Sequence, residues 1–220
     1  MKKFAVVLSG CGVFDGAEIH EATLSLLAIV KNGCKYEIFA PDTDQHHVIN
    51  HITGEEMDET RNVLVESARI ARGSIHDLKD FNPDEFDCLL FPGGFGAAKN
   101  LSSWAFDGAD SSVLPVVEDA ITGMVQANKP IGALCISPVL LAKVLGNVKL
   151  TIGDDKGTAE AIESLGATHV HTTHGDVVID SKYKVATTPC YMLDATIDQI
   201  ALGADKVVEA MLILLKQDQN

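Results

Sequence analysis

One cysteine stands where a buried strand turns into a helix. The segment Lys129-Pro130-Ile131-Gly132-Ala133-Leu134-Cys135-Ile136-Ser137-Pro138 puts an apolar run, Ile131 to Leu134, directly before Cys135. The run Val139 to Leu145 that follows has helical character, and Pro138 is tolerated in its first turn. A thiol at such a turn meets the positive end of a helix dipole and backbone N–H groups without helical partners. Both favour the thiolate, the nucleophilic form. The same turn presents a nucleophile beside N–H groups that can hold an oxyanion. The competing reading is a small buried hydrophobe, which free cysteines often are.

Other residues supply partners for such a nucleophile. Glu18, His20 and Glu21 open a helix, and Glu18 and Glu21, three apart, share a face. A glutamate aimed at Cys135 can shuttle a proton, or keep it and hydrogen-bond the sulfur; helix capping explains one of the two equally well. Pro92-Gly93-Gly94-Phe95-Gly96 follows an apolar strand, and the Gly94 N–H is placed to donate to an oxyanion. Gly96-Ala97-Ala98-Lys99-Asn100 lacks the ending and spacing of a phosphate loop. Gly10, Gly12 and Gly16 miss dinucleotide spacing by one residue, with no acidic residue ending the second strand. Cys11 in that loop is a possible second thiol, read first as a small residue in a crowded turn. His169 and His171 face one side of a strand near His174, as metal ligands would. No third ligand is assured, so an exposed hairpin is preferred and no metal is expected. His174-Gly175-Asp176 has the His-x-acid form of a triad partner, provided it reaches Cys135. His46, His47 and His51 fall in a long polar loop and read as solvated.

The elements that must position these groups alternate. Strands are expected at Phe4–Leu8, Tyr36–Ala40, Asp87–Phe91 and Ile131–Leu134. Helices are expected at Glu18–Asn32, Asn62–Arg72, Val113–Asn128 and after Cys135. The apolar positions of the first helix are Ile19, Ala22, Leu24, Leu27, Ala28 and Val30. Thr43 to Thr60 is long for a loop and has room for a short hairpin. His169–His174, Val177–Asp180 and Lys184–Thr187 read as an antiparallel meander, with a last helix over Leu193–Lys216. The fold class is therefore α/β, a three-layer sandwich. A flavodoxin-like, mostly parallel sheet has helices on both faces and a small antiparallel meander in the C-terminal third, all in one domain over residues 1–220. Right-handed crossovers put every parallel strand's C-terminal end on one edge, where ligands bind. Ser9–Gly16, Pro92–Lys99 and the Cys135 turn converge there.

Composition narrows the partners. A net charge of −14 disfavours a nucleic-acid backbone or an anionic membrane surface. No apolar run approaches the ~20 residues that cross a bilayer. The 5 cysteines, without a CxxC pair, suit neither a disulfide framework nor a zinc ribbon. The first strand starts so near Met1 that no presequence is expected, and a cytoplasmic location follows.

These segments together resemble the PfpI-type superfamily, which has the class I glutamine-amidotransferase-like fold. The residues carrying it are Gly16-Ala17-Glu18-Ile19-His20-Glu21, Pro92-Gly93-Gly94 and Ala133-Leu134-Cys135-Ile136-Ser137-Pro138. Leu8 to Val13, Glu18 to Ala22, Phe91 to Leu101 and Thr187-Thr188-Pro189 are similar to the ElbB subfamily, glyoxalase-like proteins linked by name to isoprenoid biosynthesis. The resemblance implies Cys135 as nucleophile, Glu21 as the glutamate that contacts it, and the Gly94 and Ile136 N–H groups as oxyanion hole. Glu18, His20, Gly93 and Cys11 are supporting candidates, and a homodimer with the first helix near its interface is implied. Protease and amidase members place a histidine where Ile136 stands, and only His174-x-Asp176 offers a downstream pair. An aldehyde accepts a thiolate without that histidine, whereas an amide needs its leaving nitrogen protonated. The expected activity is therefore slow, cofactor-independent and glutathione-independent conversion of small 2-oxoaldehydes, glyoxal or methylglyoxal, to 2-hydroxy acids. The alternatives are a redox sensor or binding module using the Cys135–Glu21 pocket, and amide hydrolysis or glutamine-dependent transfer.

Overall fold

The computed structural model describes residues 1–216. In chain order the first half holds β1 (Lys3–Val7), α1 (Ile19–Lys31), β2 (Lys35–Ala40), α2 (Val63–Ile70), β3 (His76–Asp77) and β4 (Cys88–Phe91). Two short helices follow, α3 (Phe95–Lys99) and α4 (Trp104–Asp107), then α5 (Pro115–Gln126), β5 (Ile131–Leu134) and α6 (Pro138–Leu145). The remainder is β6 (Lys149–Leu150), α7 (Lys156–Ser164), β7 (Thr168–His169), β8 (Val178–Asp180), β9 (Val185–Thr188) and α8 (Ile197–Lys216).

A 7-stranded sheet runs in the order β3-β2-β1-β4-β5-β9-β8. It is parallel except at β8, which pairs antiparallel with β9. Residues of β4, β5 and β9 are buried throughout; β4 and β5 are apolar runs rather than alternating strands, and β9 ends in two buried threonines. One face packs Leu89, Phe91, Ile131 and Ala133 against Ile121 and Met124 of α5 and Leu140 of α6. The other packs Phe4, Val6, Leu90 and Leu134 against Ala22 and Ile29 of α1 and Val207 and Met211 of α8. Close packing of α8 requires Gly132: a methyl group there would lie 2.5 Å from both Met211 Sδ and Leu90 Cδ1.

The sheet departs from the sequence reading in its C-terminal part. Residues 169–174 form no meander strand: β7 ends at His169 and pairs parallel with β6 in a separate 2-stranded sheet. Of the strand pairs among the described residues only β8–β9 is antiparallel, and β9 is an interior strand beside β5, with Leu134 opposite Thr188. Local alternation suggested a hairpin; the parallel pairing of β9 with β5 bridges a long sequence separation and leaves no local trace. The reading also omits β3, α3, α4, β6 and α7, which are mostly too short to show a period. In α1 the buried face is Glu21, Ala22, Ser25, Ala28 and Ile29, whereas Ile19, Leu27 and Val30 are exposed. The excursion after β2 carries two isolated antiparallel bridges, Asp44 with Asn62 and Ile49 with Glu56, in place of a regular hairpin.

Candidate active site

The exits of β4, β5 and β9 meet the N-terminus of α1 at one sheet edge. Glu18 is the N-cap of α1, and its Oε2 accepts from the Glu21 N–H at 2.7 Å. Capping therefore accounts for Glu18 and leaves Glu21 free to turn inward. The Glu18 N–H donates to the Gly93 carbonyl at 2.9 Å, tying α1 to the loop after β4. Ser137 Oγ donates to the Pro92 carbonyl at 2.6 Å, and the Cys135 N–H donates to the Thr188 carbonyl at 3.0 Å. Cys135 itself is left-handed at φ +59°, a conformation disfavoured for a side chain with a Cβ and a mark of an over-determined site.

Glu21 is fully buried. Its Oε2 accepts from the Gly93 N–H at 2.8 Å and its Oε1 from the Tyr191 N–H at 3.2 Å, while the carboxyl hydrogen-bonds Cys135. Burial, and then the nearby Glu18 carboxylate, push Glu21 up to about 8. It therefore holds its proton at neutral pH. Around the sulfur, the Gly94 and Ile136 N–H groups hydrogen-bond the thiol. Burial and the Glu21 charge outweigh them and push the Cys135 thiol well up. This corrects the expectation that the turn favours a resting thiolate: the N–H groups are present, but the site is too dry. The loop after β4 must be glycine. A methyl group at Gly93 would collide with Cys135 Cβ and come within 2.5 Å of Glu21 Oε2. Gly94 adopts φ +99° against the backbone of residues 16–18.

A cavity of about 340 Å³ opens over the sulfur. Cys135 and Gly94 share it with the apolar Val13, Phe95, Ile136 and Met192, and with Tyr191, Asp155 and Thr158. Sequence reasoning missed Tyr191. It follows β9, and the misreading of that strand hid the fact that its exit reaches the ligand-binding edge. Thr187-Thr188-Pro189, read as a subfamily signature, was the available signal. His20 joins the site through Tyr191, its Nδ1 lying 2.8 Å from the Tyr191 hydroxyl.

Other candidates are elsewhere. Cys11 faces Glu66, Arg69, Asp15 and Arg61, and burial pushes its thiol up. His174 Nε2 contacts the Asp194 carbonyl at 3.0 Å, while Asp176 accepts from the Thr173 N–H and hydroxyl, so the pair is turned to its own loop. Among the described residues no three potential metal ligands converge, and no helix is long and apolar enough to cross a membrane. His46 and His51 are exposed, in keeping with the solvated reading, and His47 is half-buried. His46 lies 4.2 Å from the Phe106 ring, His47 Nδ1 is buried without a partner, and His51 accepts from the Phe14 N–H at 3.3 Å.

A cysteine elbow after a central parallel strand, faced by a helix-borne glutamate and a Gly-Gly loop, defines a class I glutamine-amidotransferase-like domain. The chain belongs to the DJ-1/PfpI family, which residues 11–196 match. It is 47% identical to the human "Glutamine amidotransferase-like class 1 domain-containing protein 3, mitochondrial", over 96% of this chain and 83% of that protein. Among solved structures it resembles an "isoprenoid biosynthesis protein with amidotransferase-like domain" from Ehrlichia chaffeensis, at TM-score 0.92 and 39% identity, covering 98% of this chain and 100% of that one. A glyoxalase III from Candida albicans shares the fold at TM-score 0.62 and 16% identity, over 97% of each chain. The human relative is named mitochondrial, as are relatives from rat and zebrafish, which overturns the cytoplasmic expectation. The position of β1 reports the fold, and a folded domain carries no memory of its compartment.

Proposed function

We propose that the protein converts small 2-oxoaldehydes such as glyoxal and methylglyoxal to 2-hydroxy acids, with neither glutathione nor metal. The observation that carries this reading is the Cys135–Glu21 contact, with two N–H donors on the sulfur and the neighbouring position filled by Ile136 rather than histidine. Glu21 in its carboxylate form takes the thiol proton as sulfur bonds to the aldehyde carbon, and the Gly94 and Ile136 N–H groups hold the oxygen that becomes negative. Glu21 returns that proton to the oxygen, giving a hemithioacetal. It then removes the hydrogen from the same carbon to form an enediolate and delivers it to the adjacent carbon, while the second oxygen gains a proton and the first oxygen gives one up as the thioester carbonyl forms. Water cleaves the carbon–sulfur bond of the resulting thioester, releasing the 2-hydroxy acid and restoring the thiol. The name of the fold-sharing Candida protein agrees with this chemistry.

His174, engaged with the Asp194 carbonyl, gives no support to amide hydrolysis. The exposed Ile19, Leu27 and Val30 of α1 support a homodimer, for which light scattering should read twice the chain mass. The relatives' names support a mitochondrial setting. The reaction is tested by following methylglyoxal to lactate by NMR without glutathione or added metal. Wild type should form lactate, and Cys135→Ala should not. A wild-type protein that forms none overturns the reading in favour of a redox sensor or binding module.

A further inference from the structure

The reaction needs a second proton donor that Glu21 does not supply. When Glu21 removes the hydrogen from the thiol-bearing carbon, the electron pair moves onto the oxygen of the neighbouring carbonyl. Glu21 then carries the proton destined for carbon. The charged oxygen needs another donor, and the position after Cys135, where a histidine would serve, is Ile136.

Tyr191 is another polar side chain of the cavity wall. It lines the cavity with Cys135, and its main-chain N–H holds Glu21 Oε1 at 3.2 Å. Its hydroxyl lies 2.8 Å from His20 Nδ1, with the two rings tilted by 48° and their centroids 5.9 Å apart. His20 is exposed at the start of α1, so the contact runs from solvent to the cavity wall. Burial, and then Glu18 and Glu21, push the Tyr191 hydroxyl up, so it keeps its proton until one is demanded of it.

We propose that Tyr191 is the acid that protonates the second substrate oxygen, and that His20 is a positioning residue that refills it from solvent. This rests on the glyoxalase-type reading above. The Tyr191 O–H bond breaks as the enediolate oxygen gains its proton. The Nδ1 proton of His20 passes to the Tyr191 oxygen, and His20 recovers one from water. The proton gained is balanced by the one the first oxygen releases when the thioester carbonyl forms. The wire also narrows the substrate class to compounds with a carbonyl or equivalent acceptor beside the aldehyde. Simple aldehydes add to Cys135 but turn over no further.

Tyr191→Phe tests the donor, because it removes the hydroxyl and keeps both the ring and the N–H that holds Glu21. The expected result is a loss in kcat of roughly 10²-fold, the low end of general-acid effects, with KM little changed and the melting temperature retained. His20→Ala should lose less, and added imidazole should restore its kcat, because the His20 position is exposed to solvent. Such rescue is not expected of a merely structural histidine. If wild type is active and Tyr191→Phe is within about twofold of it, the donor assignment is overturned and the parent reaction stands. If His20→Ala is slow and imidazole does not help, the relay is overturned. A wild type without turnover overturns both readings together.

Discussion

Cys135 and Cys190 make an internal comparison. Each follows the end of a parallel strand, β5 and β9, at the same sheet edge. Each is left-handed, at φ +59° and +43°, and each is nearly buried, at 7% and 6% exposure. Burial pushes both thiols up. What separates them is the polar shell. Cys135 receives the Gly94 and Ile136 N–H groups, touches the Glu21 carboxyl and faces the cavity. Cys190 has no counterpart to those N–H groups among the described residues, and its sulfur packs toward Gly203 of α8. A strained turn and a buried sulfur are therefore insufficient for a nucleophile. Donors for the developing charge and a base for the proton complete it.

Cys135→Ala should bring lactate formation to the uncatalysed background, read by NMR. Activity that survives this change would mean the polar shell serves something else. Next is Gly93→Ala, whose methyl group drives against Cys135 Cβ and Glu21 Oε2. Overpacking of this kind costs about 1–3 kcal/mol in denaturant melts. A displacement near 1 Å at the reacting groups can cost about 10²-fold in turnover.

A smaller effect concerns stability. Glu21 keeps its proton up to about 8 in the folded chain, against an ordinary 4.5. Between those values the folded state binds more protons than the unfolded one, so this residue's contribution to stability falls as pH rises and is fully lost above about 8. Glu21→Gln cannot ionise. Its melting temperature relative to wild type should therefore improve between pH 5 and pH 9, and a constant difference would place Glu21 in a wetter setting than the one described. Cys190→Ala should leave turnover within about twofold, with a stability loss of roughly 1 kcal/mol from a small cavity.

Much of this was legible in sequence because it is local. Ile131 to Leu134 before Cys135, and Pro138 after it, specify strand, turn and helix within ten residues or so. Glu21 was legible as one of two glutamates, but only the structure shows Glu18 occupied as the cap. Tyr191 was illegible for a physical reason. Its approach to Cys135 depends on β9 lying parallel to β5, a pairing between distant segments, whereas the alternation around β8 and β9 signals only their hairpin. The resting state of the thiol was misjudged because helix-end electrostatics are visible in a sequence and desolvation is not.

The role of Glu21 as base is tested by the pH dependence of kcat/KM for methylglyoxal in wild type and Glu21→Gln. If Glu21 is the base for Cys135, wild-type kcat/KM rises with pH to a midpoint near 8, where that carboxyl ionises. The Glu21→Gln profile should lack this rise and lie roughly 10²–10⁴-fold lower. Superimposable profiles for the two proteins would contradict the Cys135–Glu21 mechanism.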